Sequence, residues 1–323
     1  MSHLDALSEA RSLVADETLD LRTLEPAGPA STDAEFLADD PAAVGYAAAG
    51  MTVVTPTSAG DRSWADLVTE RPELAEFAAS HWLVPSRRMA PAPDELVATR
   101  NDLHRLAYSV VARARYQANG KFGLRYTRGG LGTPFFGRDE QVRVQGTSLV
   151  VVNNGSISVH GVTTLAEAGR AVGVDPAFEP AAEHDSPELG DLDRPLVLHP
   201  TAMAFLGDWF GLGTAVLEEL RVTPGAEEVG RVQLWPGHLD PAVEIGSQEA
   251  GQRATYGASP GDHAHDEPYL YVGAWGDVER SDPYWNEENF NGASLPFAAL
   301  VDAEDQYAVA LDFFRTGLAR LTA

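Results

Sequence analysis

Residues 121–160 read KFGLRYTRGGLGTPFFGRDEQVRVQGTSLVVVNNGSISVH, and this stretch decides the fold class. Apolar and polar side chains alternate along much of it, which is the period of a strand with one buried face. Asn154-Gly155 suits a tight turn because both residues tolerate positive φ. We therefore predict an antiparallel meander in which the Gly-rich stretch 128–132 is a turn. The predicted strands are 122–127, 141–145, 147–152 and 156–160.

A long helix is predicted immediately before the meander, over about 94–117. Apolar residues recur there at a spacing of three to four, Asp94 is the expected N-cap, and Asn119-Gly120 ends the pattern. His104 lies beside the apolar stripe and is expected to be a hydrogen-bonded boundary residue. The other faces are expected to form a basic surface made by Arg100, Arg105, Arg113 and Arg115.

Further elements follow the meander and complete two sequential halves. Thr164 and Glu167 form a capping box for a helix that ends near Gly173, an apolar helix begins at Pro200, and a last helix runs through Leu321. The second half has predicted strands at 232–235, 242–245 and 268–275, with a Gly-rich polar loop before the last of them. The predicted fold class is α+β, with antiparallel sheets and packing helices in two sheet-and-helix halves. The predicted divisions are an acidic, partly disordered lead-in at 1–60, helices and meander at 61–175, an acidic connector at 176–198 and the second half at 199–323.

Composition excludes several classes of function. The 323 residues include no cysteine, which rules out disulfides, thiolate metal sites and a cysteine nucleophile. A net charge of −25 disfavours nucleic acid and anionic membranes as partners, because both repel an acidic chain. The first residues lack the basic start of a signal peptide and no stretch is apolar enough to span a membrane, so we expect a cytoplasmic protein. Only residues 71–160 carry more basic than acidic residues, 12 against 7.

Ionisable side chains and aromatic rings are concentrated in residues 232–292, which is typical of a ligand pocket. We predict a pocket for a small molecule, with Asp240 among the polar groups that line it. Arg125 and Arg128 are expected to hold an anionic group of the ligand. The aromatic ligand-binding residues predicted here are Trp235, Tyr269, Tyr271 and Trp275.

Two alternatives remain open from the same residues. The first is a metal-dependent hydrolase in which His238, His263 and His265 bind a divalent metal such as zinc, manganese or iron. Asp240 or Glu244 would then be the base. Against this, the histidines are also typical of a solvated acidic loop. Gly257-Ala-Ser259-Pro-Gly261 matches the spacing of a nucleophile elbow, but it lacks the required strand and helix context, which favours Ser259 as a turn residue.

The second alternative is a non-catalytic interaction protein. Under it, Trp275, Tyr284 and Trp285 would form an exposed contact surface, since Trp and Tyr commonly dominate the energy of an interface. A homo-oligomer is one assembly that such a surface would support.

Several short motifs occur in order along the chain: Leu103-His104, 124–134, 234–243, 268–271 and 295–297. Their order resembles an uncharacterised bacterial family, known as domain of unknown function five-nine-nine-six, over about residues 100–320. The sequence departs from the family pattern in the loop 257–267 and at His238. The resemblance implies the same α+β fold, but the family supplies no activity that could be transferred to this chain.

Overall fold

A computed structural model describes residues 88–127, 129–133, 140–153, 156–177, 186–221, 223–230 and 232–323. These residues form an α+β fold of two five-stranded antiparallel sheets and packing helices, which confirms the predicted fold class. The lead-in predicted at 1–60 lies outside the described residues, and so does Arg128. The helices are α1 (Leu96–Leu106), α2 (Arg113–Asn119), α3 (Leu165–Val172), α4 (Pro200–Arg221), α5 (Phe297–Val301) and α6 (Gln306–Thr322).

The predicted long helix is confirmed as α1 and α2, which are continuous through a π-helical segment, Ala107–Ala112. It ends at Gly120, whose φ of 75° is readily adopted by glycine. The expected N-cap is wrong, because Glu95 rather than Asp94 occupies that position. The expected basic surface is also wrong, because this helix packs against other helices and strands on several sides. The four arginines expected there, Arg100, Arg105, Arg113 and Arg115, are buried.

The first sheet has the order β1-β2-β3-β4-β5, as expected for a meander. The Gly-rich stretch is not a turn, because Gly130–Gly132 forms a strand between its neighbours. A Cβ atom on Gly132 would lie 2.5 Å from the Cβ of Arg143, so the position has no room for a side chain. The strands are β1 (Arg125–Thr127), β2 (Gly130–Gly132), β3 (Glu140–Gln145), β4 (Ser148–Asn153) and β5 (Ser156–Gly161).

The second sheet has the order β10-β9-β8-β7-β6 and contains two strands that the sequence did not indicate. β8 lies within the predicted polar loop, and β10 precedes the short helix α5. Small residues such as Ala254 and Gly257 weaken the apolar alternation of β8, although the strand pairs with both β7 and β9. The strands are β6 (Gln233–Trp235), β7 (Asp240–Ile245), β8 (Ala254–Ser259), β9 (Tyr269–Ala274) and β10 (Gly292–Pro296).

Helix α4 joins the two sheets, because it packs against β1 and β2 of the first and β7 and β8 of the second. Its glycines permit this close approach: a Cβ on Gly207 would lie 3.0 Å from the Gly129 backbone, and one on Gly213 would lie 2.7 Å from Ala258. Leu124 and Leu234 also exchange backbone hydrogen bonds of 2.8 and 2.9 Å between the sheets. Of the helices in the described ranges, none has the length and apolar character needed to cross a membrane.

Candidate functional site

A cavity of about 790 Å³ lies against the second sheet. This volume is within the range of pockets that hold small organic molecules. One face of the sheet forms its floor, while α1, the turn between β6 and β7, and the loop after β8 contribute its walls. The cavity therefore gathers residues from both halves of the described chain.

The alternation of side chains along the strands explains which residues face the cavity. Gly257 on β8 pairs with Ala242 on β7 and with Tyr271 on β9, so residues two positions away from each of these share one face. The opposite face carries buried apolar residues such as Val243 and Leu270. The cavity-facing side chains of these three strands include Asp240, Glu244, Thr255, Ser259, Tyr269 and Tyr271.

Gly257 allows a contact between two strands that are not neighbours. A Cβ atom at this position would lie 2.4 Å from the ring of Tyr271, so only glycine leaves room for that ring over β8. The Tyr271 hydroxyl thereby reaches across β8 and donates a 2.5 Å hydrogen bond to Oδ2 of Asp240 on β7. Glycine at position 257 therefore allows Tyr271 and Asp240 to form their hydrogen bond at the cavity.

Asp240 is the least hydrated carboxylate of the cavity. It is 1 % exposed, and its Oδ1 atom has no hydrogen-bond partner. Burial raises the pKa of Asp240, although the hydrogen bond from Tyr271 and the nearby His238 act in the opposite direction. Burial together with Asp240 raises the pKa of Tyr271 well above its ordinary value, so the phenol remains the proton donor.

Asp262 forms a second carboxylate–tyrosine pair with different surroundings. Its Oδ2 accepts a 2.7 Å hydrogen bond from Tyr269, and its Oδ1 accepts from the backbone N–H groups of Ala264 and His265 at 2.7 and 2.9 Å. Burial acts to raise the pKa of Asp262, but these hydrogen bonds outweigh it and the net shift is downward. Asp262 is therefore a charged residue that organises its own loop.

Arg100 on α1 fastens this loop to the helix. Its guanidinium donates to the backbone oxygens of Asp262 and His265, both at 3.2 Å, and of Asp266 at 3.1 Å. Gly261, with a φ of 97°, lies directly beneath it. These bonds commit most of the guanidinium N–H groups, so Arg100 is a structural residue of the cavity wall.

His104, one turn further along α1, holds the turn between β6 and β7. Its Nε2 lies 2.8 Å from the backbone oxygen of Pro236. Burial lowers the pKa of His104 to about 4, despite the opposing effect of its backbone hydrogen bonds. The ring is therefore neutral at neutral pH, and the contact assigns the proton to Nε2, which donates to Pro236.

The structure separates the predicted ligand-binding residues into groups. Arg125 is buried on β1 and does not line the cavity. Trp275 is 50 % exposed and lies outside the lining, where its indole donates a 3.1 Å hydrogen bond to Thr255 and its ring lies 5.0 Å from the Arg253 guanidinium. The predicted residues that do line the cavity are Trp235, His238, Asp240, Glu244, His263, Tyr269 and Tyr271.

The described residues do not assemble the expected metal site of His238, His263 and His265. No group of three histidine, aspartate or glutamate side chains in the described part of the chain is arranged to hold a metal ion. The His265 ring lies 4.6 Å from that of Tyr269, whereas His238 and His263 are exposed at the cavity. Glu244, one of the two expected bases, forms an ion pair with Arg253.

The expected aromatic contact surface is also absent from the described residues. Trp285 is buried, and the half-buried Tyr284 donates a 2.9 Å hydrogen bond to the backbone oxygen of Phe313 on α6. Of the three aromatic residues expected there, Trp275 alone is exposed. These side chains therefore do not form one patch.

Sequence reasoning missed the contribution of α1 to the site. Arg100 and His104 are four residues apart and so lie on one helix face, which is a recognisable signal. That face was expected to be a basic surface with a boundary histidine, because nothing local indicates that Arg100 meets a loop residue 165 positions later in the chain. Phe290, which also lines the cavity, follows an irregular segment and carries no periodic signal.

Comparison with known proteins gives no relative: no protein-family profile, no curated protein and no solved structure matches this chain. The family resemblance noted in the sequence therefore stays a prediction, and the site must be interpreted from its own geometry.

Proposed function

We propose that the protein binds a small organic molecule in the cavity beside the second sheet. The observation that carries this proposal is the polar face of β7, β8 and β9, which is turned away from the core into a cavity of about 790 Å³. Aromatic rings there would exclude water, and a few fixed polar groups would orient the guest. The residues that support binding directly are Trp235, Asp240, Tyr269 and Tyr271.

The proposal does not include the arginine clamp expected from Arg125 and Arg128. Arg125 lies away from the cavity, and Arg100, which does line it, is bonded to loop carbonyls. Support for an anionic ligand is therefore lacking. The cytoplasmic location and the lack of nucleic-acid partners expected from composition stay predictions.

The test is a screen of the full chain by ligand-observed NMR, with a fragment library that contains neutral, cationic and anionic members. Gly273 faces the cavity, and a Cβ there would meet nothing closer than 3.9 Å, so Gly273→Leu should place a side chain in the cavity. Gly161 on β5 has no neighbour within 4 Å of such an atom and gives the matched control Gly161→Leu in the first sheet. We expect fragments that bind the wild type and the control but not Gly273→Leu. A library without hits, or hits that bind Gly273→Leu equally well, would contradict the proposal.

A further inference from the structure

Asp240 differs from two other largely buried carboxylates of the described chain, Asp102 and Glu218, in lacking an arginine partner. Asp102 accepts from Arg105 and Arg194, and Glu218 accepts from Arg221 at 2.7 Å. By contrast, no arginine or lysine in the described ranges pairs with Asp240, whose Oδ2 accepts a hydrogen bond from Tyr271 and whose Oδ1 has no hydrogen-bond partner. A buried carboxylate without a cation is costly, so a positive group from outside the chain would restore the missing partner.

The two basic side chains that α1 contributes to the cavity are not placed to supply that partner. Arg100 is bonded to three backbone oxygens, and His104 is neutral at neutral pH. The other ionisable groups that line the cavity are His238 on the turn, Glu244 on the same strand, Asp262 and His263 on the loop, and Tyr269 and Tyr271 on β9. Of these, only His238 contributes a favourable charge interaction to Asp240. The lining as a whole contains three carboxylates and one arginine.

Aromatic rings surround the same position. The rings of Tyr271 and Phe290 are 6.0 Å apart and close to perpendicular, and the ring of Tyr269 lies 6.1 Å from that of Tyr271. Trp235 also lines the cavity, beside Asp240 in the register of β6 and β7. Faces of aromatic rings attract cations through their quadrupole, so this lining suits a positive group with an apolar body.

We infer that the ligand of this cavity is an organic cation whose amidinium or ammonium group pairs with the carboxylate of Asp240. This inference rests on the proposed function, because it names the class of molecule that the cavity holds. Tyr271 keeps its hydrogen bond to Oδ2, so the cation completes the hydrogen bonding of the carboxylate. A charge-assisted bond of this kind is stronger than a neutral one, and exclusion of water strengthens it further.

The test uses three probes of closely similar shape and different charge: benzamidine, benzamide and benzoate. Isothermal titration calorimetry on the wild-type full chain at neutral pH should show benzamidine binding at least about tenfold more tightly than benzamide, and no binding of benzoate, since one buried charge pair contributes on this scale. Benzamidine affinity should fall as the pH is lowered, because Asp240 must be ionised to pair with it. These measurements need no variant and so do not depend on the folding of one.

A matched pair of variants assigns the effect to Asp240. Asp240→Asn keeps the shape and removes the charge, so benzamidine should lose at least about tenfold in affinity while benzamide changes little. The control is Glu219→Gln, because Glu219 accepts a 2.8 Å hydrogen bond from Tyr307 in a carboxylate–tyrosine pair that does not line the cavity. The control should bind benzamidine like the wild type. Circular dichroism of both variants checks that they fold.

The possible results separate this inference from the proposed function. Equal affinity for benzamidine and benzamide, tighter binding of benzoate, or full benzamidine affinity in folded Asp240→Asn would overturn the organic cation. A different result would be that neutral or anionic fragments bind the wild type and not Gly273→Leu, while benzamidine does not bind the wild type. The inference would then fail and the proposed function would stand. If no probe or fragment binds, both fail.

Discussion

The two sheets both place a glycine opposite a large polar side chain, but with opposite results. In the first sheet, Gly132 pairs with Arg143, which is 0 % exposed and donates a 2.9 Å hydrogen bond to Gln141. In the second sheet, Gly257 pairs with Tyr271, which lines the cavity. The same absence of a side chain therefore serves close packing in one sheet and the position of a binding group in the other.

The position of α4 accounts for much of this difference. At the first sheet, Gly207 brings the helix against the backbone of β2, and no space remains between them. At the second sheet, Gly213 brings it against Ala258, whose side chain is on the face opposite to Gly257. The helix thus covers the core face of the second sheet and leaves the other face available for a cavity.

The largest effect is expected from Gly130→Ala, which tests the close packing of the first sheet. A Cβ atom at this position would lie 2.0 Å from the backbone oxygen of Val144, and backbone atoms cannot move aside without breaking the β2–β3 pairing. We expect the free energy of unfolding to fall by about 3 kcal/mol or more, as for severe overpacking. Urea unfolding followed by circular dichroism measures this change.

Gly161→Ala is the control for that substitution, because it lies in a strand of the same sheet with nothing within 4 Å of the new methyl group. Its free energy of unfolding should stay within about 0.5 kcal/mol of the wild type. If the two variants were equally stable, close packing of β2 would not explain why glycine occupies position 130.

An intermediate effect is expected from Tyr271→Phe in the second sheet. Loss of the hydroxyl leaves both oxygens of Asp240 without a hydrogen-bond partner from the described side chains. We expect a loss of about 1–2 kcal/mol at neutral pH, the usual cost of an unsatisfied buried polar group. Tyr307→Phe removes a similar hydroxyl from Glu219, which is far more exposed, and should cost less.

The pH dependence of that loss follows from the raised pKa of Asp240. A carboxyl group whose folded pKa lies above its ordinary 3.8 favours folding at low pH, and this contribution is lost as the pH rises through the folded pKa. Removing Tyr271 raises the folded pKa further, so the difference from wild type should be larger at about pH 8 than at about pH 5. Urea unfolding at both pH values measures it. A difference that grows as the pH falls would contradict this account of the pair.

The sequence predicts most of the fold, and the reasons for its failures are physical. The long helix, the meander, α3, α4 and α6 each have a clear period or a cap. At the start of α3, for example, the Thr164 side chain accepts a 3.1 Å hydrogen bond from the Glu167 N–H. β2, β8 and β10 were missed because their glycine and alanine residues weaken the apolar alternation that marks a strand. Their pairing depends on partners distant in the chain, and sequence patterns do not report those partners.

The candidate site was predicted where its chemistry is local and missed where it is not. Asp240, Tyr269 and Tyr271 stand out because ionisable and aromatic residues are close together in the second half. The contribution of α1 could not be predicted, since Arg100 and His104 reach the cavity only through long-range packing. Trp275 is equally prominent in the sequence but lies outside the lining, because it follows the last residue of β9, Ala274, and its half-exposed indole is held by a hydrogen bond to Thr255.

The smallest effect is expected from Gly273→Ala, which tests whether the cavity face of the second sheet has free space for a side chain. A methyl group at this position would be 3.9 Å from the nearest heavy atom, so it enters the cavity without a collision. We expect the free energy of unfolding to stay equal or to rise by up to about 1 kcal/mol, because alanine restricts the unfolded chain more than glycine does. Urea unfolding beside Gly130→Ala makes the comparison direct. A loss as large as that of Gly130→Ala would mean that the cavity face of the second sheet is packed as closely as the first sheet.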